Sequence, residues 1–247
     1  GEMTDAGWQG AAKARNFAEF RPGNKTKPVV DTEVLVTYDE NNLYMAFVCQ
    51  DDPVTIRGGL RDRDDIWRDD YVGVLMDTFG DNSAYEIFLN PLGVQGDLRL
   101  LSTGNEDMGL DLVMKSKGKI TPSGYQVELA IPFSSLRFPE AAVQTWRTTF
   151  WRNRPRGDRQ NYSWAAIDQG EPCFSCAWGE MTAITNGRRG TSLALLPALV
   201  SEGTRRGMSY NHMARVTSWN PAQRFGLNRK GDIAEGFDAD IALVDPA

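Results

Sequence analysis

The chain has 247 residues and a formal net charge of −6, with 41% hydrophobic and 24% charged residues. This composition is typical of a soluble globular protein that buries a core without needing disulfides. The negative charge argues against general nucleic-acid binding, which requires a positive surface. No run of about 18 apolar residues occurs, so the sequence predicts no transmembrane helix. The single histidine, His212, excludes a His-rich metal site and leaves little basis for His-dependent nucleophilic catalysis.

Short alternating apolar runs separated by turn residues recur from Val29 to about Ile184. The predicted strands are Thr32–Tyr38, Leu43–Val48, Tyr71–Met76, Ala84–Asn90, Gly96–Leu101, Gly124–Ile131 and Trp146–Asn153. A short helix is predicted over residues 11–20, and a helical turn over Pro132–Leu136. Many short strands with few helices indicate an all-β sandwich or barrel.

The pattern changes after the Gly/Arg-rich stretch Gly187–Gly190. The sequence therefore predicts a β domain over residues 1–190 and a short C-terminal appendage over 191–247. In the appendage we expect an apolar strand at Leu193–Val200, a helix at Tyr210–Trp219 and a hairpin near residues 233–244.

The segment Asp64–Asp77 places Trp67 in an acidic turn directly before a predicted strand. An indole at a strand edge among polar groups suits stacking on the flat face of a sugar ring. The ordinary alternative is a core or rim tryptophan beside a solvated turn.

Carboxylates suggest two further kinds of site. Asp69, Asp70 and Asp77 belong to an oxygen-rich cluster that could hold Ca²⁺, although a loop salt-bridged to the interleaved arginines explains the same pattern. Glu86 and Glu128 are the strand glutamates best placed for glycosidase-type acid/base chemistry.

Two other patterns have structural alternatives. The arginines from Arg147 to Arg159 lie among aromatic residues and could bind phosphates, but the alternating stretch Arg147–Arg154 fits a solvated strand face better. Cys173 and Cys176 lie in a predicted loop, where they could form a local disulfide or remain two free thiols.

Residues 1 to about 184 resemble the carbohydrate-binding module family 9 type of domain, in the version that begins a group of bacterial proteins with an outer-membrane β-barrel. The motifs that carry the resemblance are Thr32-Glu33-Val34, Tyr38-Asp39, Asp52-Pro53, Arg61-Asp62, Asp77-Thr78-Phe79, Asn90–Gln95, Ile131–Phe138 and Trp151-Arg152-Asn153. The resemblance implies a two-sheet antiparallel β-sandwich, jelly-roll-like, often with structural Ca²⁺. It also implies an extracellular, periplasmic or outer-membrane-associated location, with tethering to a barrel in a longer parent. No signal-peptide pattern is visible, so the exported location rests on the resemblance alone.

The sugar-binding members of this family clamp a terminal sugar between two tryptophans. Trp67 matches the first, Trp178 lies near the second but is displaced by several residues, and Asn90 and Gln95 are the associated polar candidates. Two polar positions of the family's site are replaced here, by Gly73 and Phe88.

The last forty residues resemble the C-terminal end of dihydroorotase- and hydantoinase-type amidohydrolases. The segments that match are Thr217–Ala222, Phe225-Gly226-Leu227 and Asp238-Ala239-Asp240. The metal-binding histidines and lysine motif of those enzymes are absent from the sequence, so the resemblance implies no amidohydrolase activity.

The sequence therefore favours a non-catalytic module that recognises a poly- or oligosaccharide by aromatic stacking. One alternative is a glycan-active hydrolase that uses Glu86, Glu128 or the Asp69/Asp70 pair. The other is a structural or interaction domain of an outer-membrane protein.

Overall fold

A computed structural model describes Met3, residues 5–185, and the isolated positions Gly207, Ser209, His212 and Arg215. The chain divides into two units, residues 1–190 and 191–247. The strand, helix and hairpin expected in the appendage lie outside the described residues. Within the described part, none of the helices is long and apolar enough to cross a membrane.

Residues 5–185 form two antiparallel sheets. The strands are β1 (Ala12–Ala14), β2 (Ala18–Arg21), β3 (Thr32–Tyr38), β4 (Asn42–Gln50), β5 (Tyr71–Asp77), β6 (Ala84–Leu89), β7 (Gln95–Leu100), β8 (Glu106–Asp107), β9 (Lys115–Thr121), β10 (Gly124–Pro132), β11 (Val143–Arg154), β12 (Gln160–Ser163) and β13 (Gly179–Thr185). Short 3₁₀ helices span Ala6–Trp8, Pro53–Thr55, Phe133–Ser135 and Phe174–Ala177.

The smaller sheet, called the back sheet below, has the order β1-β3-β4-β10-β9. The larger, called the front sheet, has the order β2-β12-β11-β5-β6-β7-β8, and β13 pairs with β11. The predicted all-β two-sheet sandwich is confirmed, and the seven predicted strands correspond to β3–β7, β10 and β11.

The helix predicted over residues 11–20 is wrong. Ala12–Ala14 pairs with Val34–Val36 of β3, and Ala18–Arg21 pairs with β12. The alanine-rich composition favours a helix locally, but pairing with β3 and β12 outweighs that weak propensity. This pairing places Phe20 on the front sheet.

Apolar side chains fill the space between the sheets. The back sheet contributes Met45, Phe47 and Val127, and the front sheet contributes Val74 and Ile87, all fully buried. A second apolar cluster covers the outer face of the front sheet. Because both faces of the front sheet are covered, every residue of β6 is buried, and the polar residues of that strand lie in an apolar environment.

Arg152 joins the two sheets. It lies in β11 of the front sheet with its side chain fully buried, which corrects the prediction of a solvated arginine face. Its guanidinium donates to Thr32 Oγ1 of β3 and to the Gln50 carbonyl of β4, each at 3.0 Å. Asp51, at the end of β4, supplies the counter-charge at 3.0 Å and also accepts from Arg154 at 2.8 Å. The ion pair therefore joins the two sheets at one end of the sandwich.

Two glycines on the outer face of the front sheet make room for aromatic rings. Gly73 of β5 pairs with Phe88 of β6, which in turn pairs with Gly96 of β7. A Cβ atom on Gly73 would lie 2.3 Å from the Phe88 ring and 2.3 Å from the Ile87 carbonyl oxygen. The Phe88 ring can therefore occupy this place only because residue 73 has no side chain.

We predict that Asp51→Asn destabilises the domain by about 3–5 kcal/mol, because it leaves the buried Arg152 charge without its partner. Burial raises the pKa of Asp51, but the hydrogen bond from Arg154 and the Arg152 charge outweigh it, so the net pKa lies below the ordinary value. The stabilisation is therefore complete above the unfolded-state pKa and is lost as the pH falls through the folded-state pKa. Urea unfolding at several pH values measures it. Asp65→Asn, at a largely exposed aspartate, is the control and should change stability by less than about 0.5 kcal/mol.

We predict that Gly73→Ala destabilises the domain by about 1–3 kcal/mol, because the added methyl group overlaps backbone and ring atoms. Gly7→Ala is the matched control, since a Cβ atom there meets nothing within 4 Å. Chemical denaturation of both variants checks this. Equal stability of the two variants would contradict the steric account.

Candidate functional site

A groove of about 560 Å³ runs over the outer face of the front sheet. Two rows of outward-facing residues on the paired strands lie beneath it. One row is Trp151, Gly73, Phe88 and Gly96; the next is Thr149, Leu75, Glu86 and Leu98. Of these residues, Trp151, Phe88, Leu75, Glu86 and Leu98 line the groove, so Glu86 is the polar group among them.

Three aromatic side chains line the groove over β5 and β6. The Trp67 ring centroid lies 5.8 Å from those of Tyr71 and Phe88, and Tyr71 lies 5.3 Å from Phe88, all edge-to-face. Phe88 is buried, whereas Trp67 and Tyr71 are only half-buried. This group, called the first triad below, therefore keeps aromatic surface open to the groove.

A second triad lies beside the first, because β11 neighbours β5 in the sheet. It consists of Phe20 from β2, Trp151 from β11 and Phe174 from the short helix Phe174–Ala177. The centroids of Phe20 and Trp151 are 5.4 Å apart, and those of Trp151 and Phe174 are 6.2 Å apart. All three rings are half-buried and line the groove.

Asp69 and Asp70 hold the segment that carries Trp67. Asp69 accepts two hydrogen bonds from Arg61, at 2.9 and 3.0 Å, and one from Asn90 at 3.0 Å. Asp70 accepts from the Arg57 backbone at 2.7 Å and from Arg156 at 2.8 Å. These contacts fix the chain directly after Trp67, so the indole is presented from an anchored turn.

Two further residues contact Trp67, Arg159 through a hydrogen bond and Gly96 through close packing. Arg159 donates to the Trp67 carbonyl at 2.9 Å. A Cβ atom on Gly96 would lie 3.3 Å from the indole, so glycine allows the ring to approach the sheet. Trp67 is therefore a groove residue and not a core tryptophan, as its half-buried state shows.

Glu86 is the acidic group of the groove floor. It is 4% exposed and lies between Leu75 and Leu98 on the adjacent strands. Burial raises the pKa of Glu86 to about 8, and the negative charge of nearby Glu106, which also lines the groove, adds to the shift. The carboxyl group is therefore largely protonated at neutral pH when the groove holds no ligand.

The other residues predicted for sugar binding lie elsewhere. Trp178 is buried behind Phe174, with ring centroids 5.6 Å apart, and Phe174 lines the groove. Asn90 is fully buried; its amide donates to Asp69 and to the Gly59 carbonyl, so it ties the turn after β6 to the loop between β4 and β5. Gln95 accepts from Arg63 at 2.9 Å and donates to Ser116 at 2.7 Å. The structure thus does not bring these three side chains together with Trp67 in the groove.

The three candidate calcium ligands do not share an oxygen shell. Asp69 and Asp70 accept from arginines and backbone amides, as described above. Asp77 pairs with Arg147 at 2.9 Å and accepts from the Gly80 amide at 2.6 Å. Among residues 5–185 no group of three acidic, histidine or cysteine side chains is placed to hold a metal ion. These aspartates fit the salt-bridged-loop alternative, and calcium in the domain stays a prediction.

Glu86 and Glu128 do not form a catalytic pair. Glu128 lies on β10 of the back sheet, where it alternates with the core residues Val127 and Leu129 and therefore points away from the core. Glu86 points outward from the front sheet, so the two carboxylates are on opposite faces of the sandwich. A glycosidase pair must flank one glycosidic bond within about 10 Å.

Cys173 and Cys176 form a disulfide with a Cα–Cα distance of 5.3 Å. The bridge encloses the short helical turn that carries Phe174. It therefore restrains one ring of the second triad.

Phe20, Tyr71, Trp151 and Phe174 were not identified as groove residues from the sequence. The outward positions of alternating strands carried a signal for Tyr71 and Trp151. No local pattern could have shown that Phe20 meets Trp151 and Phe174, because more than 120 residues of chain separate Phe20 from either of them.

Comparisons with known proteins agree with this architecture. Residues 1–169 match the family described as carbohydrate family 9 binding domain-like. A putative carbohydrate-binding protein from Bacteroides uniformis superposes with a TM-score of 0.58 at 12% identity, covering 70% of this chain and 87% of that one. A family 9 carbohydrate-binding module from Caldicellulosiruptor kristjanssonii, in complex with glucose, gives a TM-score of 0.53 at 16% identity, covering 78% and 92%. At these identities the likeness concerns the fold.

The C-terminal segment matches a different group. Residues 165–247 match the amidohydrolase family. An allantoinase from Rubrobacter xylanophilus is 44% identical over 79 residues, which are 32% of this chain and 15% of the allantoinase. The chain thus spans about a seventh of that relative, and the match confirms the resemblance of the tail. Because the first match covers more than two thirds of the sequence, the chain belongs to the carbohydrate family 9 binding domain-like family.

Proposed function

We propose that this chain is a non-catalytic saccharide-binding module and that the groove of the front sheet is its binding site. The observation that carries the proposal is the pair of aromatic triads lining one open groove. A pyranose presents flat C–H faces, which pack on aromatic rings, and a groove of about 560 Å³ has room for a short saccharide.

The polar groups of the groove suit the hydroxyl groups of a sugar. Glu86, Asn161 and Arg159 line it beside the aromatic rings. A few polar groups in an otherwise apolar site fix the orientation of a ligand. The family membership and the sugar complex of the structural neighbour support the same class of ligand.

The arrangement of acids favours binding over hydrolysis. Glu128, the second glutamate of the hydrolase alternative, is on the opposite face of the sandwich, and Asp69 and Asp70 are held by arginines. Export and tethering to an outer-membrane barrel stay predictions.

We predict that Trp67→Ala weakens binding of cellotriose about tenfold or more, because a central aromatic contact is worth at least ~1.4 kcal/mol. Isothermal titration calorimetry measures the affinity. Trp8→Ala, on the back-sheet side of the domain near Glu128, is the matched control and should bind like the wild type.

Two results would contradict this proposal. The first is wild-type protein that binds neither cellotriose nor any member of a panel of soluble glycans. The second is release of shorter sugars from an oligosaccharide by the wild type but not by Glu86→Gln, which would favour the hydrolase alternative.

A further inference from the structure

Glu86 differs from the other buried carboxylates of the described chain. Six acidic side chains are less than one tenth exposed, and five of them contact an arginine: Asp51, Asp69, Asp70, Asp77 and Asp97. Glu86 is the sixth, and it forms no ion pair or hydrogen bond with any residue that the structure describes. The domain thus supplies a guanidinium to each of the other buried acids and leaves the position opposite Glu86 open to the groove.

None of the charged side chains that line the groove with Glu86 forms an ion pair with it. Glu106, from β8 at the edge of the sheet, is a second carboxylate and repels it. Arg21 lies with its guanidinium 5.3 Å from the centre of the Phe20 ring, and Arg159 is bound to the Trp67 carbonyl. Both arginines are exposed, and neither lies within ion-pair distance of Glu86. Tyr71 of β5 is the tyrosine that shares the groove with Glu86; burial raises the pKa of its hydroxyl, and the charges of both glutamates add to the shift.

The aromatic rings that line the same groove as the Glu86 carboxylate suit a cation. The faces of Trp67, Tyr71 and Phe88 carry the negative part of the ring quadrupole and attract an ammonium within about 6 Å. A buried carboxylate beside such rings is a binding arrangement for a positively charged hydrogen-bond donor.

We propose that the groove binds a saccharide that carries a free, protonated amino group, with the ammonium between Glu86 and the first triad. This inference rests on the proposed function and names the class of sugar. An N-acetylated amine is neutral and does not compensate the carboxylate, so the proposal concerns free amino sugars.

Binding of the ammonium requires Glu86 to be ionised. Since its pKa in the free protein is raised to about 8, binding near neutral pH should release a proton from Glu86. The expected signature is a calorimetric binding enthalpy that depends on the ionisation enthalpy of the buffer.

The test compares two ligands of equal length and linkage, a β-1,4-linked glucosamine trimer and cellotriose. They differ by an ammonium in place of one hydroxyl on each ring. We expect the wild type to bind the glucosamine trimer about tenfold or more tightly, which is the scale of one charge-assisted hydrogen bond. Glu86→Gln should lose both this preference and the proton release, because a neutral amide does not compensate an ammonium charge. Glu128→Gln, the same change on the opposite face, should behave like the wild type.

The folding of Glu86→Gln can be checked without a ligand. An unfolded glutamate ionises near pH 4.3, whereas Glu86 in the folded domain ionises at about 8. Wild-type stability should therefore decrease as the pH rises between these values, because the unfolded chain releases the proton first. The glutamine variant has no ionisable group at position 86 and therefore lacks this pH-dependent loss of stability. It should be at least as stable as the wild type near neutral pH.

The inference is overturned if the wild type binds both trimers equally, or if Glu86→Gln retains the preference for the amino sugar, while cellotriose still binds. In those cases the proposed function stands. If neither trimer nor any other glycan binds, the proposed function itself fails.

Discussion

The sandwich depends on one buried charge that crosses between its sheets. Arg152 belongs to the front sheet, but its guanidinium donates to the backbone and side chains of β3, β4 and Asp51. A buried cation is costly without acceptors and a counter-charge, and the back sheet and Asp51 supply these to the two terminal guanidinium nitrogens, so this arginine fixes how the ends of the two sheets meet. Its ring contact with Tyr125 of β10, at 5.5 Å, adds a third strand of the back sheet to the same junction.

Ion pairs also fix the position of the loop that carries Trp67 to the groove. The loop between β4 and β5 contains little regular structure, and its position is set by Asp69 and Asp70, each held by an arginine and by backbone amides. Trp67 lies two residues before this anchor. The turn therefore holds the Trp67 ring in position. The carboxylates of Asp69 and Asp70 are bound by arginines and backbone amides of the domain.

Much of the fold could be predicted from the sequence, because alternation of apolar residues is a local signal that long strands such as β4 and β10 carry strongly. The short strands β1 and β2 could not, since their pairing partners decide their conformation. Trp67 was identified from its own neighbourhood. The second triad was not, because Phe20, Trp151 and Phe174 come from distant segments. The sequence also could not predict that Glu86 lacks an arginine partner, because this depends on the positions of all the arginines in the folded domain.

The contact between Gly73 and Phe88 limits how this groove can change over evolution. Any side chain at position 73 collides with the Phe88 ring and with the backbone of β6. A polar side chain at position 73 therefore cannot be accommodated by a single replacement. Because the Ile87 carbonyl oxygen lies as close as the Phe88 ring, replacing Phe88 alone does not make room either, and the backbone of β6 would also have to move.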